Sequence, residues 1–304
     1  MWKYVLFLVA IQTIGRLPLG FGYALAELAG RIACRLVSGN RRNVISNLRR
    51  VMGTEAPERE VQVAARKVFV NVAKNYVDMV RMPHMNLDSF YKRRFRYYGF
   101  DEYLLPAVAE GKGVILLSGH MGNPELAAQG MLPRGVKVFA LTEPLRPPRL
   151  HRLVDRLRAS KGNEFAPVGF GGVKRAIQTI RDGGVVALMG DRDIEGPRAS
   201  LPFFGEEALM PVGPIEVALR TGAPVLPCFT TRTGSNIEAF VEKRLDLQRT
   251  GDLEADARAG ALLFLGRLER RLREHPDQWV VLESVWDGGK AGSEPAPVAV
   301  GEEA

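Results

Sequence analysis

The chain has 304 residues, 46% of them hydrophobic, which is enough to bury a sizeable core and excludes a low-complexity or wholly disordered protein. Its two cysteines, Cys34 and Cys228, lie far apart among apolar residues, so neither a disulfide framework nor a thiolate zinc site is indicated. The formal net charge of +8 suits an anionic partner, and by itself it leaves a phospholipid surface, a phosphorylated substrate and nucleic acid open.

Residues 1–40 are predicted to form membrane-associating helices. The apolar run at 4–11 is too short to span a bilayer, which takes about 20 apolar residues. Apolar residues continue over 17–37, where Glu27, Arg31 and Arg35 follow one another at four-residue spacing along one helical face. This pattern is typical of an interfacial anchor, and a pair of buried core helices would produce it as well.

Helical patterns continue through most of the first hundred residues. A basic segment at 41–50 breaks at Gly53, and a long amphipathic helix is predicted over 57–81. Cations and aromatic residues then mix over 91–98. That mixture fits a lipid headgroup site, a nucleic-acid site or the solvated face of a strand.

From about residue 100 the chain alternates between strands and helices. This alternation predicts an α/β fold with a mixed central sheet, helices on both faces and the helical N-terminal region in front. We assign the domain to 41–287 and expect a disordered tail at 288–304, which is rich in Gly, Ala, Pro and Glu. The candidate strands are 114–118, 136–141, 185–189, 224–230 and 237–241, and the candidate helices are 147–160, 173–182, 211–221 and 254–274.

The most informative segment is the turn after the first of these strands. His120 ends the apolar run, and Asn123 with Pro124 begins a helix whose first turn carries Glu125. A carboxylate there can reach back to the imidazole, so we predict that His120 is a general base oriented by Glu125. An ordinary loop histidine next to a first-turn carboxylate would give the same spacing. The other histidines show no metal-ligand spacing, and we expect a mechanism without metal.

A second polar cluster follows the strand at 185–189. It contains Asp191, Arg192 and Asp193 and continues to Phe203 and Phe204. An arginine here could clamp a phosphate or carboxylate, and the aromatic pair could line an acyl-chain or headgroup pocket. A structural Asp–Arg pair followed by a turn is the alternative.

Taken together, these blocks resemble the bacterial lipid A late acyltransferases, including the phosphatidylinositol mannoside acyltransferases, within the lysophospholipid acyltransferase superfamily. The resemblance covers roughly residues 15–287, and it depends on the order of several blocks. They are Asn43-x3-Asn47-Leu48, Gly119-His120-x4-Glu125, Arg158-x3-Gly162, Asp191-Arg192-Asp193 with Phe203-Phe204-Gly205, Gly222-Ala223-Pro224-Val225, and Trp279.

The resemblance implies a membrane-associated O-acyltransferase. It would transfer a fatty acyl chain from acyl-CoA or an acyl carrier protein thioester to a glycolipid hydroxyl, without a cofactor, on the cytoplasmic face of the bacterial inner membrane. His120 and Glu125 would be catalytic, and nucleic acid would not be a partner. The substrate-binding candidates are Asn123, Arg158, Asp191, Arg192, Phe203 and Phe204.

The acceptor stays open at this point. Glu125 resembles the lipid A side of the family, whereas Asp191-Arg192-Asp193 and the segment around Met210-Pro211 are at least as similar to the mannoside acyltransferases. A lysophospholipid acyltransferase, an esterase that activates water with the same residues, and a lipid-binding protein without catalysis are further alternatives.

Overall fold

The computed structural model describes residues 2–192 and 196–286, so the predicted tail and Asp193 lie outside the described residues. In the described part of the chain, the α-helices are α1 (Trp2–Gln12), α2 (Leu19–Leu36), α3 (Ser38–Met52), α4 (Glu58–Arg81), α5 (Leu87–Arg94), α6 (Leu105–Ala109), α7 (Pro124–Met131), α8 (Pro148–Ala159), α9 (Phe170–Arg181), α10 (Gly213–Thr221) and α11 (Leu253–Glu274). The strands are β1 (Phe95–Tyr98), β2 (Val114–Ser118), β3 (Val138–Thr142), β4 (Glu164–Pro167), β5 (Val185–Met189), β6 (Arg198–Phe203), β7 (Glu206–Pro211), β8 (Val225–Thr233) and β9 (Asn236–Val241).

Seven of the strands form one sheet in the order β1-β9-β8-β2-β5-β3-β4. Neighbouring strands run parallel except β8 and β9, which form an antiparallel pair. The mixed central sheet predicted from the sequence is therefore confirmed. The strands β2 and β5 near its centre are apolar except for Ser118 at the end of β2, as expected of strands covered on both sides.

Helices cover both faces of this sheet, which confirms the predicted layering. Along β2, Ile115 and Leu117 point into one hydrophobic cluster and Leu116 into the opposite one, because successive side chains of a strand alternate between faces. The first cluster contains residues of α9, α10 and α11, and the second contains residues of α6 and α7.

The remaining strands, β6 and β7, form a separate antiparallel hairpin. The candidate strands predicted from the sequence did not include this hairpin. Ala199, Leu201 and Phe203 alternate with exposed residues and pack into the core below. Both residues of the tight turn, Phe204 and Gly205, have positive φ, which suits the twist of a two-residue hairpin.

At the N-terminus, α2 packs closely along α4. A Cβ atom built on Gly30 would lie 2.6 Å from the Cα atom of Val70, so only glycine permits this separation. The outer face of α2 carries large exposed apolar side chains, among them Phe21 and Leu28. Within the described residues, no helix combines the length and apolar character needed to cross a membrane. Membrane association of residues 1–40 and the domain boundary at residue 40 stay predictions.

Candidate active site

His120 lies just beyond the carboxyl end of β2, and its nearest polar partner is Asp191. The Nδ1 atom of His120 is 2.7 Å from Oδ1 of Asp191, which follows β5. The two strands are parallel neighbours with Ser118 opposite Met189, so residues two positions further along each strand meet at the same sheet edge. Ligands of α/β sheets gather at such carboxyl ends.

Asp191 is completely buried and is held in its ionised form. Burial alone would raise the pKa of the carboxyl group, but the charge of His120 and hydrogen bonds from His120 and Trp279 outweigh it and lower that pKa. Oδ2 accepts the backbone N–H of His120 at 2.7 Å and Nε1–H of Trp279 at 2.9 Å. Because the ionised carboxylate can only accept, Nδ1 of His120 carries the proton that it donates, and Nε2 is left to accept one.

Glu125 does not occupy the position that the sequence interpretation gave it. It binds Arg158, whose Nε donates to Oε1 of Glu125 at 2.7 Å and whose Nη2 also contacts that oxygen. The predicted pairing of Glu125 with His120 is therefore replaced by Asp191 with His120. Both Glu125 and Arg158 line the same cavity as His120, and the Nη1 atom of Arg158 is buried without a hydrogen-bond partner among the described residues.

Asn123 caps helix α7, as its position before Pro124 predicted. Its side-chain oxygen accepts the backbone N–H of Leu126 at 3.0 Å, and its Nδ2 donates to Asp78 at 2.9 Å. Asn123 borders the cavity, but both of its polar side-chain atoms are engaged in holding the loop. The structure thus supports a positioning role rather than the predicted substrate contact.

A buried ion pair supports this loop from the side of the N-terminal helices. Arg232 of β8 donates to Asp78 of α4 at 2.5 Å, and Tyr23 of α2 donates to the other carboxylate oxygen at 2.7 Å. Nearby, Asn75 donates from Nδ2 to the carbonyl oxygen of Gly122 at 2.7 Å. Helices α2 and α4 are in this way connected to the turn that carries His120.

The turn also requires glycine at one position. Gly122 has φ of +63°, and a Cβ atom there would lie 2.5 Å from the carbonyl oxygen of Thr230. Its backbone N–H donates to Gln278, and that of Asn123 donates to Thr230. Both N–H groups are therefore already hydrogen-bonded within the protein.

A segment far along the chain, around Trp279, completes the site and was missed in sequence reasoning as a structural partner of His120. Trp279 forms an isolated antiparallel bridge with Met121, and Val280 donates its N–H to the carbonyl oxygen of His120 at 2.8 Å. Trp279 was recognised only as one block of the family resemblance. Its indole N–H bond to Asp191 depends on a contact across 88 positions of sequence, which no local pattern reveals.

Arg192 lies at the edge of the site between two glutamates. Its Nη1 is 2.5 Å from Glu283, and its Nη2 contacts Glu143. Burial would lower the pKa of Arg192, but the two glutamates outweigh it and raise that pKa. Arg192 lines the cavity as predicted, although its guanidinium is already bound on two sides.

His120 borders a large, mainly apolar cavity of about 930 Å³, which we call the His120 cavity. This volume lies in the range of about 300–1,000 Å³ typical of small-molecule sites. The polar residues that line it include His120, Glu125, Arg158 and Arg192. Among its apolar lining residues are Leu116, Ala128, Met131, Val138, Leu141 and Ile177.

Phe203 and Phe204 do not line this cavity, contrary to the sequence expectation. Phe203 is fully buried and stacks on Trp286 at a centroid distance of 5.3 Å. It also meets Trp279 edge to face at 5.9 Å, and Phe204 packs against the same cluster. The pair supports the tryptophan that binds Asp191. Asp191 likewise is a buried partner of His120 and not the substrate contact that was expected.

The chain is similar to known proteins over most of its length. Residues 1–287 match the family model described as bacterial lipid A biosynthesis acyltransferase. A phosphatidylinositol mannoside acyltransferase of Mycobacterium tuberculosis (strain CDC 1551 / Oshkosh) is 30% identical over 213 residues, which are 69% of this chain and 66% of that protein. The chain thus matches just under two thirds of the length of that relative. A protein of the same name from Mycolicibacterium smegmatis is 26% identical over 296 residues, covering 90% of this chain and 94% of that protein.

The family match spans nearly the whole chain and includes His120, Asp191 and Trp279. It also covers the N-terminal helices that support the turn carrying His120. The chain belongs to the bacterial lipid A biosynthesis acyltransferase family.

Proposed function

We propose that this protein is an O-acyltransferase that transfers a fatty acyl chain from a thioester donor to a hydroxyl group of a membrane glycolipid. The observation that carries the proposal is the placement of His120, whose Nδ1 is fixed on a buried carboxylate while its ring borders a large apolar cavity. Membership of an acyltransferase family supports the same chemistry. The apolar cavity is the site that we assign to the acyl chain of the donor.

In the proposed reaction His120 is the general base. Its Nε2 removes the proton of the acceptor hydroxyl while the hydroxyl oxygen attacks the thioester carbonyl carbon. The C–S bond then breaks, the ester bond is complete, and the leaving thiolate takes the proton from the imidazolium. A positioned base contributes about 10²–10⁴ to such a rate. Asp191 holds the required tautomer of His120 and stabilises the imidazolium.

Arg158 is the residue that we assign to the negative charge of the substrates. It lines the cavity beside His120, and Glu125 fixes two of its nitrogens. The buried Nη1 makes no hydrogen bond among the described residues and lies 3.8 Å from Oδ1 of Asp155. A donor in this position could stabilise the oxyanion of the tetrahedral intermediate or bind a phosphate of the donor. Glu125 therefore acts through Arg158 and not through His120.

A mannosylated phosphatidylinositol is the acceptor class that we favour, because the similar proteins from two mycobacterial species carry that activity in their names. A lipid A precursor is the second candidate, since the family model is named for that pathway. Both acceptors reside in a membrane, and the exposed apolar face of α2 suits association with one. The soluble thioester donors place the proposed reaction on the cytoplasmic face.

The test supplies purified protein with acyl-CoA or acyl-loaded acyl carrier protein and, in parallel, three acceptors: a phosphatidylinositol mannoside, a lipid A precursor and a lysophospholipid. We expect an acylated mannoside as the main product in lipid mass spectrometry. Main acylation of the lipid A precursor would replace the favoured acceptor by the second one. Free fatty acid as the sole product with every acceptor would refute transfer and indicate a hydrolase.

A further inference from the structure

A second concave site lies between α2 and α4, and we call it the α2–α4 pocket. Helix α4 separates this pocket from the His120 cavity. Val72 and Tyr76 of α4 border the His120 cavity, whereas Lys67 and Lys74 of the same helix border the α2–α4 pocket. The pocket has a volume of about 370 Å³. It contains no residue of the proposed acyl-transfer chemistry, so it needs a separate explanation.

The wall of this pocket carries an excess of positive charge. Arg31 is paired with Glu27 at 2.5 Å and Arg232 with Asp78, but Arg66, Lys67 and Lys74 have no carboxylate within ion-pair distance among the described residues. Unpaired cations that converge on one concavity attract an anion. The charged residues bordering the pocket are Glu27, Arg31, Arg66, Lys67, Lys74, Arg232 and Asp277.

Of the three unpaired cations, Lys74 is the one most withdrawn from water, since Arg66 and Lys67 are exposed. Its Nζ lies 5.6 Å from the centroid of the Tyr23 ring, and burial lowers the pKa of Lys74. A partly desolvated ammonium group without a carboxylate partner gains more from a bound anion than an exposed lysine does. The pocket floor therefore favours a compact anionic group such as a phosphate.

An exposed apolar stripe on α2 runs beside the pocket. Its members follow at intervals of three or four residues, which places them on one face of the helix. Arg31 of the pocket lies only about 60° around the helix axis from Leu28 of the stripe, at 3.6 residues per turn. Val63 of α4, also exposed, borders the pocket itself. The stripe consists of Phe21, Leu25, Leu28, Ile32 and Leu36.

We propose that the α2–α4 pocket binds the phosphate of an anionic phospholipid headgroup, while the acyl chains of that lipid lie along the stripe on α2. A free phosphate would use the cations and leave the stripe exposed, whereas this lipid uses both. The proposal deepens the membrane association assumed above by naming the lipid class. It is independent of the acyl-transfer chemistry.

Such a lipid would also contact the supports of the catalytic turn. Arg232 and Gln278 both border the pocket, and the backbone of Gln278 accepts the N–H of Gly122 at 2.8 Å. Gln278 thus borders the phosphate site and also contacts the turn that holds His120. Binding there would restrain α2 and α4 against that turn.

The experiment measures binding of the full-length protein to phosphatidylcholine vesicles with and without phosphatidylglycerol, in the absence of any acyl donor. The test variant is the double substitution Arg66→Gln with Lys67→Gln. The control is Lys174→Gln with Arg181→Gln, which removes two exposed cations from α9 and changes the net charge equally. We expect the test variant to lose roughly thirtyfold in affinity for the anionic vesicles, since each basic group near such a surface contributes about a factor of five. The control should change by less than twofold.

Equal losses in the two variants would mean that only the total charge matters, and that result would overturn the proposed site. Unchanged binding of the test variant would overturn it as well. A separate arm follows protection of Lys67 from amine modification by short-chain phosphatidylglycerol and by inorganic phosphate. Equal protection by both at the same concentration would identify a free-phosphate site and reject the lipid. Because no arm measures acyl transfer, failure here leaves the proposed function to its own test.

Discussion

Among single residues, Asp191 and Glu125 differ in the property that decides which of them can orient His120. Asp191 is fully buried, ionised and in direct contact with Nδ1, whereas Glu125 is partly exposed and committed to Arg158. A buried carboxylate is not screened by water, so it binds an imidazole more strongly than a solvent-exposed carboxylate does. The substitution of each carboxylate by its amide therefore separates the two roles.

We predict that Asp191→Asn lowers kcat by about 10²–10⁴ with little change in KM, because the amide can no longer hold the Nδ1-protonated tautomer as an anion does. Glu125→Gln should act mainly on KM, since it frees Arg158 rather than His120. Steady-state kinetics with a thioester donor provide both parameters. A large loss of kcat in Glu125→Gln together with wild-type kcat in Asp191→Asn would restore the pairing predicted from the sequence and reject the one described by the structure.

Local sequence patterns predicted only part of this site. The spacing after β2 predicted His120 as the candidate base and Asn123 as the helix cap, because these features are local, whereas Arg158 came from the family resemblance. The spacing paired His120 with Glu125 instead of Asp191, because Asp191 is 71 positions away and reaches His120 through strand pairing. The sequence contained part of this information, because His120 and Asp191 both follow buried strands. Parallel neighbouring strands bring such carboxyl ends together.

Among the secondary-structure elements, the long apolar strands and the amphipathic helices were predicted well, and the edge strands of the sheet were not. Strands β2 and β5 begin and end at the predicted residues. The sequence interpretation missed β4 and gave a strand at β1 only as one of three alternatives for 91–98. These two are the edge strands of the sheet, and each is only four residues long. Edge strands have one partner and less apolar cover, so their sequences lack a strong pattern.

The contact between α2 and α4 yields a prediction of stability. Gly30→Ala should lower the free energy of unfolding by about 1–3 kcal/mol, because the added Cβ atom would press on the backbone of Val70 at 2.6 Å. Gly20→Ala is the matched control on the same helix, with no atom within 4 Å of its Cβ position. It should be neutral or stabilise by up to about 1 kcal/mol, since alanine favours a helix.

Urea denaturation followed by circular dichroism measures both variants. A midpoint for Gly30→Ala equal to or above that of Gly20→Ala would show that α2 is not packed on α4 as described. The same outcome would weaken the path from Tyr23 through Asp78 to Asn123, because that path depends on α2 lying against α4.

In the whole molecule, three distant parts of the chain converge on one turn. Strands β2 and β5 bring His120 to Asp191, the segment around Trp279 binds both, and α2 with α4 fixes Asn123 through Asp78. Helix α3 also takes part: Asn47, from a block that the sequence resemblance singled out, donates to the carbonyl oxygen of Glu283 at 2.8 Å. His120, Arg158, Asp191 and Trp279, from four of the family blocks, meet around this site, whereas the block at 222–225 lies at the opposite end of the sheet, where β8 begins.

The fold class and the family could be predicted from the sequence, since both depend on hydrophobic periodicity and on ordered motifs. The α2–α4 pocket could not, because its cations come from α2, α4 and β8 and only their packing makes them neighbours. For the same reason the aromatic pair Phe203 and Phe204 was assigned to the substrate. The sequence shows that two aromatic residues are present. It does not show that Phe203 packs on Trp286, because that contact depends on the fold of the hairpin.

The most direct test of the central claim is a single-turnover reaction with a labelled acyl thioester and the phosphatidylinositol mannoside acceptor, comparing the wild-type protein with His120→Ala by lipid mass spectrometry. The wild type should form one acyl ester for each thiol released, and His120→Ala should form none while retaining the wild-type melting temperature. Ester formation by His120→Ala at the wild-type rate would contradict the assignment of His120 as the base of an acyl-transfer site.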